Sequence, residues 1–478
     1  MMHRTVAALA LFAALAAPAS AAPAPAPDEV TTDVAARIDR ALQAATGEKK
    51  GLSPALSVAV VEHGDIVYAR AFGVADLATK TAATPATRFP IASVTKMFTA
   101  VSVMQLVEAG RVRLDAPLGT YLPSAPHAGE VTIRQLLTHT SGLWNYGDEA
   151  FNSGRAATPT TPSAILAAVA AHPLDFKPGT KFSYSNTGYV LLGLVVEAVA
   201  KVPLAAYERE HIFGPAQMHD TTVGAPPAGV PVARGYMDAS GTPAPPYSPS
   251  WVFADGDIVS TASDLARFDV ALMDGRLLKP ATFAEMQSSA VDAAELGASV
   301  RYGLGVSLAT SGGVTFVGHH GGVPGFEAEN ELIPSERYAI VVLSDAFDFP
   351  TPVANAAVLQ QTLPSVLAQA RAAQAAAAAA AEDPAVTAML RAFVTGVQAG
   401  TVDRSTLDEP MNAALTPAAL DQLKAQFAPL GSLRSLAFRA KQPVQVYVAY
   451  RYDATFSSGQ TVPLTLVLDK DGKISGFH

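Results

Sequence analysis

Ser93-Val94-Thr95-Lys96 is the only Ser-x-x-Lys in the chain, and it opens an apolar run, Met97-Phe98-Thr99-Ala100-Val101-Ser102-Val103-Met104. The spacing predicts a helix over 97–109. Serine and lysine three apart on a helix share one face, with Cβ atoms about 5–6 Å apart, so the amine reaches the hydroxyl. A serine hydroxyl is a poor nucleophile until a base removes its proton, and lysine serves only when neutral. Burial among apolar neighbours disfavours the ammonium form and lowers a lysine pKa by up to about 3–5 units. The run behind Lys96 supplies that setting.

Two distant segments extend the pattern. Phe182-Ser183-Tyr184-Ser185-Asn186 holds the only Tyr-x-Asn, on a loop before a helical run at 187–201. A phenol near Ser93 passes a proton to a leaving group, and the Asn186 amide holds a substrate carbonyl. Gly318-His319-His320-Gly321-Gly322 follows a strand predicted over 314–317. Glycines there let a substrate lie along the strand edge, and a backbone N–H completes an oxyanion hole with the N–H of Ser93.

At this point the chain resembles the serine β-lactamase and penicillin-binding protein family, in its branch of class C β-lactamases, D-Ala-D-Ala carboxypeptidases and related esterases. The motifs Ser-x-x-Lys, Tyr-x-Asn and Lys/His-Thr-Gly occur in order as Ser93-Lys96, Tyr184-Asn186 and His319-His320-Gly321. Flanking segments are similar too: Leu136–Leu143, Ser260–Leu265 and Gly322–Phe326. The resemblance covers about residues 30–350. It implies that Ser93 is the acylated nucleophile, Lys96 its proton acceptor and Tyr184 a proton relay. Asn186, His319, His320, Gly321 and Gly322 would bind substrate, with the amides of Ser93 and Gly322 as oxyanion donors. The chain departs from the pattern where His319 replaces the lysine usual in β-lactamases and His320 the threonine. With a reference pKa of about 6.5 a histidine is mostly neutral at pH 7, which weakens the anchor for a β-lactam carboxylate.

Other chemistries fit less well. His319 and His320 are neighbours on a strand, so they point to opposite faces and form no two-ligand metal site. There is no His-Glu-x-x-His, and His139, His211 and His219 are scattered, which reads as structural. No metal or other cofactor is expected. The absence of Gly-x-Ser-x-Gly disfavours an α/β-hydrolase. Asp255, Asp257 and Asp264 invite a Ser-His-Asp triad, but lysine already fills the base position, and Asp264 follows Ser260-Thr261 like a helix-start acid. Trp144, Tyr146 and Trp251 either line a substrate cleft or pack a loop; both readings stay open.

The whole chain frames this site. At 478 residues it is long enough for two or three domains. Residues 1–21 read as a secretory signal, with Arg4, an apolar stretch from Val6 to Ala17 and Ala19-Ser20-Ala21 for cleavage. The expected location is therefore periplasmic or secreted. No later segment is long and apolar enough to span a membrane. Residues 22–28 form an Ala/Pro tether. A net charge of −9 disfavours nucleic acid as a partner, and the lack of cysteine removes disulfides and thiolate chemistry.

The predicted fold is α/β (α+β). A hydrolase domain over 29–382 has an antiparallel sheet flanked by helices (29–95 and 300–382), split by a mainly helical insertion at 97–295. The sheet combines a hairpin at 57–70 with strands at 314–317, 327–333 and 338–344; helices at 351–370 and 372–382 lead out of it. Residues 384–478 read as a small α+β domain, resembling the NTF2-like or cystatin-like kind. The expected function is an exported, metal-independent serine hydrolase acting through an acyl-enzyme. Its substrate would be a small molecule or peptide, cell-wall-derived ones included: small esters, D-amino-acid amides or peptides, or β-lactams. The alternative is a catalytically silent protein that binds peptidoglycan or another cell-envelope partner.

Overall fold

A computed structural model describes residues 35–42, 55–238, 240–311, 314–347, 358–359, 361–362, 382–444 and 446–477. The expected signal and tether, and almost all of the helices expected at 351–370 and 372–382, lie outside the described residues. The chain divides into two compact units, residues 1–366 and 367–478.

The first unit is built on an eight-stranded antiparallel sheet. Its strands are β1 (Leu56–Glu62), β2 (Asp65–Phe72), β3 (Val291–Asp292), β4 (Arg301–Tyr302), β5 (Ser307–Ser311), β6 (Val314–Val323), β7 (Phe326–Ile333) and β8 (Tyr338–Ser344), in the spatial order β2-β1-β8-β7-β6-β5-β4-β3. The β1–β2 hairpin turns through His63 (φ 55°) and Gly64 (φ 91°). Two left-handed residues match the right-handed twist of the flanking strands. Strands β3, β4 and β5 were not anticipated, and the helical insertion therefore ends near residue 290 rather than 295. They are two to five residues long, too short to show a period-2 pattern against the surrounding loops.

Helix α1 (Thr95–Glu108) begins two residues earlier than its apolar run suggested, and every residue from Thr95 to Met104 is buried. A helix apolar on all sides belongs inside a core. It packs against α2 (Asn186–Ala200), which is also largely buried, and Phe98 stacks on Phe268 of α3 (Ala262–Met273) at 4.0 Å. Thr261 caps α3 by accepting from the Asp264 N–H at 3.1 Å. The Asp264 carboxylate is held by Arg267, the Asp220 N–H and Thr221 Oγ1. It is a structural acid. No single helix among the described residues is long and apolar enough to cross a membrane.

In the second unit, α4 (Pro384–Ala399) and α5 (Pro417–Phe427) share an apolar cluster with the antiparallel meander β9 (Leu433–Val444), β10 (Tyr447–Phe456), β11 (Thr461–Leu468) and β12 (Ile474–Phe477). The β9 strand runs to Val444, which pairs with Tyr447. Tyr450, Tyr452 and Phe456 are buried in the cluster, while Tyr447 is half-buried.

Candidate active site

A tight turn at Ala92–Val94 leads into α1 and carries the partly exposed Ser93. Ala92 is held at φ 47°, a conformation an L side chain adopts only when its surroundings enforce it. One turn on, Lys96 is completely buried and its Nζ donates to Ser93 Oγ at 2.9 Å and to the Asp255 carbonyl at 2.9 Å. Burial pulls the amine down from the ordinary lysine value, and the Asp255 carboxylate opposes that shift. Desolvation keeps the Tyr184 phenol well above the usual tyrosine value, and the Ser93 side chain beside it opposes that shift. Lys96 Nζ also lies 5.0 Å from the Tyr184 ring centre and 5.5 Å from that of Tyr189. Two segments far apart in sequence, 93–96 and 182–186, thus bring an amine and a phenol to one hydroxyl.

The third segment is β6. Its ladder with β5 ends at the Ser307–Gly318 pair, whereas pairing with β7 continues to Val323. From His319 to Val323 one edge is therefore left open by the sheet, as the glycines suggested. A Cβ on Gly321 would lie 2.3 Å from the Ile91 carbonyl oxygen, 2.9 Å from Ser93 N and 3.1 Å from Val94 N. Only glycine allows this strand to press on the serine turn.

The two histidines separate. His319 shares the catalytic face with Gly321. Its Nδ1 lies 2.5 Å from the His320 carbonyl, which can only accept, so Nδ1 carries the proton and Nε2 accepts from the Tyr302 hydroxyl at 2.9 Å. Burial pushes the imidazole down to about 3. It is neutral, and both ring nitrogens are already engaged. His320 points the other way, and its Nδ1 pairs with Glu329 at 3.1 Å. The expectation that the His320 side chain binds substrate is corrected by this alternation; only its backbone belongs to the catalytic face.

Asn186 opens α2. Its N–H donates to Asn145 Oδ1 at 3.0 Å, and its own Oδ1 is buried with no hydrogen-bond partner among the described residues. Four side chains at the site carried no clear signal. Tyr302 lies on the two-residue strand β4. His139, at φ 55°, packs 4.2 Å from Tyr184 and 4.7 Å from Tyr302, and its Nδ1 accepts from the Ser185 N–H. Tyr189 donates to the Leu137 carbonyl, and Asp255 meets Lys96. The segment around His139 resembled the family, but an isolated histidine reads as structural.

The single Tyr146 hydroxyl proton is shared between Asp255 Oδ1, at 2.9 Å, and the Trp251 carbonyl. With Trp144, Trp251, Ala164, Ile165 and Thr158 it lines a cavity of about 240 Å³. Trp144 stacks on His172 at 3.9 Å, and Trp251 Nε1 donates to the Thr158 carbonyl at 2.6 Å. The three aromatics therefore share one cavity and also pack their loops. Among the described residues no group of three His, Cys, Asp or Glu is placed to hold a metal ion.

The beta-lactamase family model matches residues 36–363. The chain belongs to the beta-lactamase family. A penicillin-binding protein of Bacillus subtilis (strain 168) is 31% identical over 309 residues, covering 60% of this chain and 67% of the relative. A D-aminopeptidase of Brucella canis is 29% identical over 326 residues, and the alignment spans 64% of this chain and 58% of that enzyme. Among solved structures, the D-amino acid amidase of Ochrobactrum anthropi SV3, complexed with L-phenylalanine amide, has a TM-score of 0.61 at 30% identity. It covers 69% of this chain and 99% of its own. The relationship is that of a serine hydrolase, in the class C and D-Ala-D-Ala carboxypeptidase branch.

Proposed function

We propose that the protein is an exported hydrolase that forms an acyl-enzyme on Ser93 and acts best on uncharged small esters and D-amino-acid amides. The observation that carries this reading is the fully buried Lys96 amine 2.9 Å from Ser93 Oγ. Neutral Lys96 takes the hydroxyl proton as Ser93 attacks the carbonyl; Tyr184 passes its phenolic proton to the leaving group and is reprotonated by the Lys96 ammonium, which leaves both groups neutral again. The amides of Ser93 and Gly322 hold the oxyanion, a role supported by the contact of Gly321 with the serine turn. Water then releases the acyl group by the same proton path. Asn186 orients the substrate carbonyl.

His319 decides among substrates. A neutral imidazole already bonded through both nitrogens gives a substrate carboxylate no cation, which favours esters and amides over β-lactams. The D-aminopeptidase and D-amino acid amidase among the relatives support the amide half of this reading. Export to the periplasm or medium is supported by Arg4 and the apolar stretch with its Ala-x-Ala site. The second unit, helices against a four-stranded meander, supports an NTF2-like or cystatin-like reading of residues 384–478.

A fluorophosphonate probe read by intact mass tests the chemistry: one adduct is expected on the wild type and none on Ser93→Ala. A panel of p-nitrophenyl esters, D-alanyl amides and nitrocefin tests the substrate class. Nitrocefin turned over faster than every ester and amide would reject the stated preference.

A further inference from the structure

The turn that carries Asp255 is fastened to the start of α1 by three side chains. Lys96 Nζ donates to the Asp255 carbonyl at 2.9 Å, Thr99 Oγ1 to the Ala254 carbonyl at 2.7 Å, and Thr95 Oγ1 accepts from the Ile258 N–H at 3.3 Å. From the far side, Gly193 of α2 lets the turn approach: a Cβ there would lie 2.4 Å from that of Ala254. The Asp255 side chain is buried at 3% exposure, with Oδ1 held by Tyr146 at 2.9 Å. A buried carboxylate is costly without a counter-charge, and among the described residues the cation acting on Asp255 is Lys96.

We propose that Asp255 is a positioning residue for the general base: its carbonyl aims the Lys96 amine at Ser93, and its Tyr146-clamped carboxylate sets the charge balance of that amine. The proposal rests on Lys96 acting as the base in the reading above. When Ser93 attacks, its Oγ–H bond breaks, the acyl bond forms and Lys96 becomes an ammonium; the adjacent carboxylate stabilises that charge. The same anion makes the resting amine harder to deprotonate, so one residue strengthens the base and raises the pH it needs.

The other ionisable groups around the pair leave Asp255 as the local anion. Asp257, on the same turn, is pushed well up by burial, and Glu208 is pushed up to about 8 and so is protonated at neutral pH, whereas Asp255, with Lys96 opposing its desolvation, is raised only to about 6. Tyr146, Tyr184 and Tyr189 are all raised by burial and stay neutral phenols. His139 and His319 are both lowered by burial and stay uncharged.

The test is the pH profile of kcat/KM on a p-nitrophenyl ester for wild type, Asp255→Asn, Tyr146→Phe and Asp257→Asn. In Asp255→Asn the main-chain carbonyl remains while the charge is gone. The acid limb should move about one pH unit or more toward lower pH, while the plateau falls several-fold because the base is weaker. Tyr146→Phe should move the limb the same way by less, since it destabilises the carboxylate without deleting it, and Asp257→Asn should leave it in place. Thermal melting and fluorophosphonate labelling report on folding. If Asp255→Asn does not fold, the Tyr146→Phe shift carries the test. A plateau that falls with the limb unmoved means a merely structural role and overturns the proposal, as does an equal shift in Asp257→Asn. A wild type that never labels at Ser93 instead overturns the underlying reaction.

Discussion

His319 and His320 are joined by one peptide bond, yet the two faces of the sheet give them opposite chemistry. On the catalytic face, the His319 ring is enclosed by Tyr302 and Tyr184 and its imidazole is driven far down by burial. On the opposite face, burial also works against the His320 cation, but a hydrogen bond and the charge of Glu329, aided by Glu327 and Glu331, reverse the outcome and raise it. Register explains the contrast: His319 sits across from Asn330 and Gly321 from Ala328, whereas His320 sits across from Glu329 and Gly322 from Glu327. One face is kept uncharged around a reacting hydroxyl. The other carries the His320–Glu329 ion pair among further acids.

That contrast predicts that changes on the catalytic face alter turnover and those on the other face alter stability. The largest effect is expected at the nucleophile, where Ser93→Ala should lower kcat/KM on p-nitrophenyl esters by at least about 10³-fold with an unchanged melting temperature. Retained turnover would remove Ser93 from the reaction. Next is Gly321→Val, whose Cβ must displace the Ser93 turn. A shift of about 1 Å at the reacting atoms costs about 10²-fold in rate, measurable as slower fluorophosphonate labelling.

His319→Lys sharpens the comparison by placing a cation on the uncharged face. The ratio of nitrocefin to ester kcat/KM should rise about tenfold, the effect of about one hydrogen bond to a charged group. An unchanged ratio would mean that the histidine does not govern substrate charge.

The smallest effect belongs to the far face. His320→Gln should change kcat/KM little and lower the melting temperature by about 2–4 °C at pH 6. The folded-state pKa of His320 is raised, so its pairing stabilises fully below the unfolded value of about 6.5 and is lost as pH rises through the higher folded value. Melting curves of wild type and variant should therefore converge at alkaline pH. A gap that widens with pH would contradict the ion pair.

Much of this was legible in the chain. The uniqueness of Ser93-x-x-Lys96, the Tyr184-x-Asn186 pair and the glycines around His319 pointed to one chemistry, because a nucleophile, a base and a relay need those residue types. Long helices announced themselves by their apolar runs, α1 and α2 among them. The short strands β3, β4 and β5 did not, since two to five residues carry no period. Tyr302 was hidden with them, and it is the residue that occupies His319 Nε2.

Sequence by itself determined which groups were available and which strand faces they took, since alternation along β6 is a local property of extended backbone. Tertiary structure alone decided their charge. Whether Lys96 loses its proton, His319 stays neutral or Asp255 serves as a counter-ion depends on which distant side chains surround them and how completely water is excluded. Those neighbours come from segments up to about 220 residues away. Desolvation and Coulomb energy depend on distance in space, and only the folded chain sets that distance.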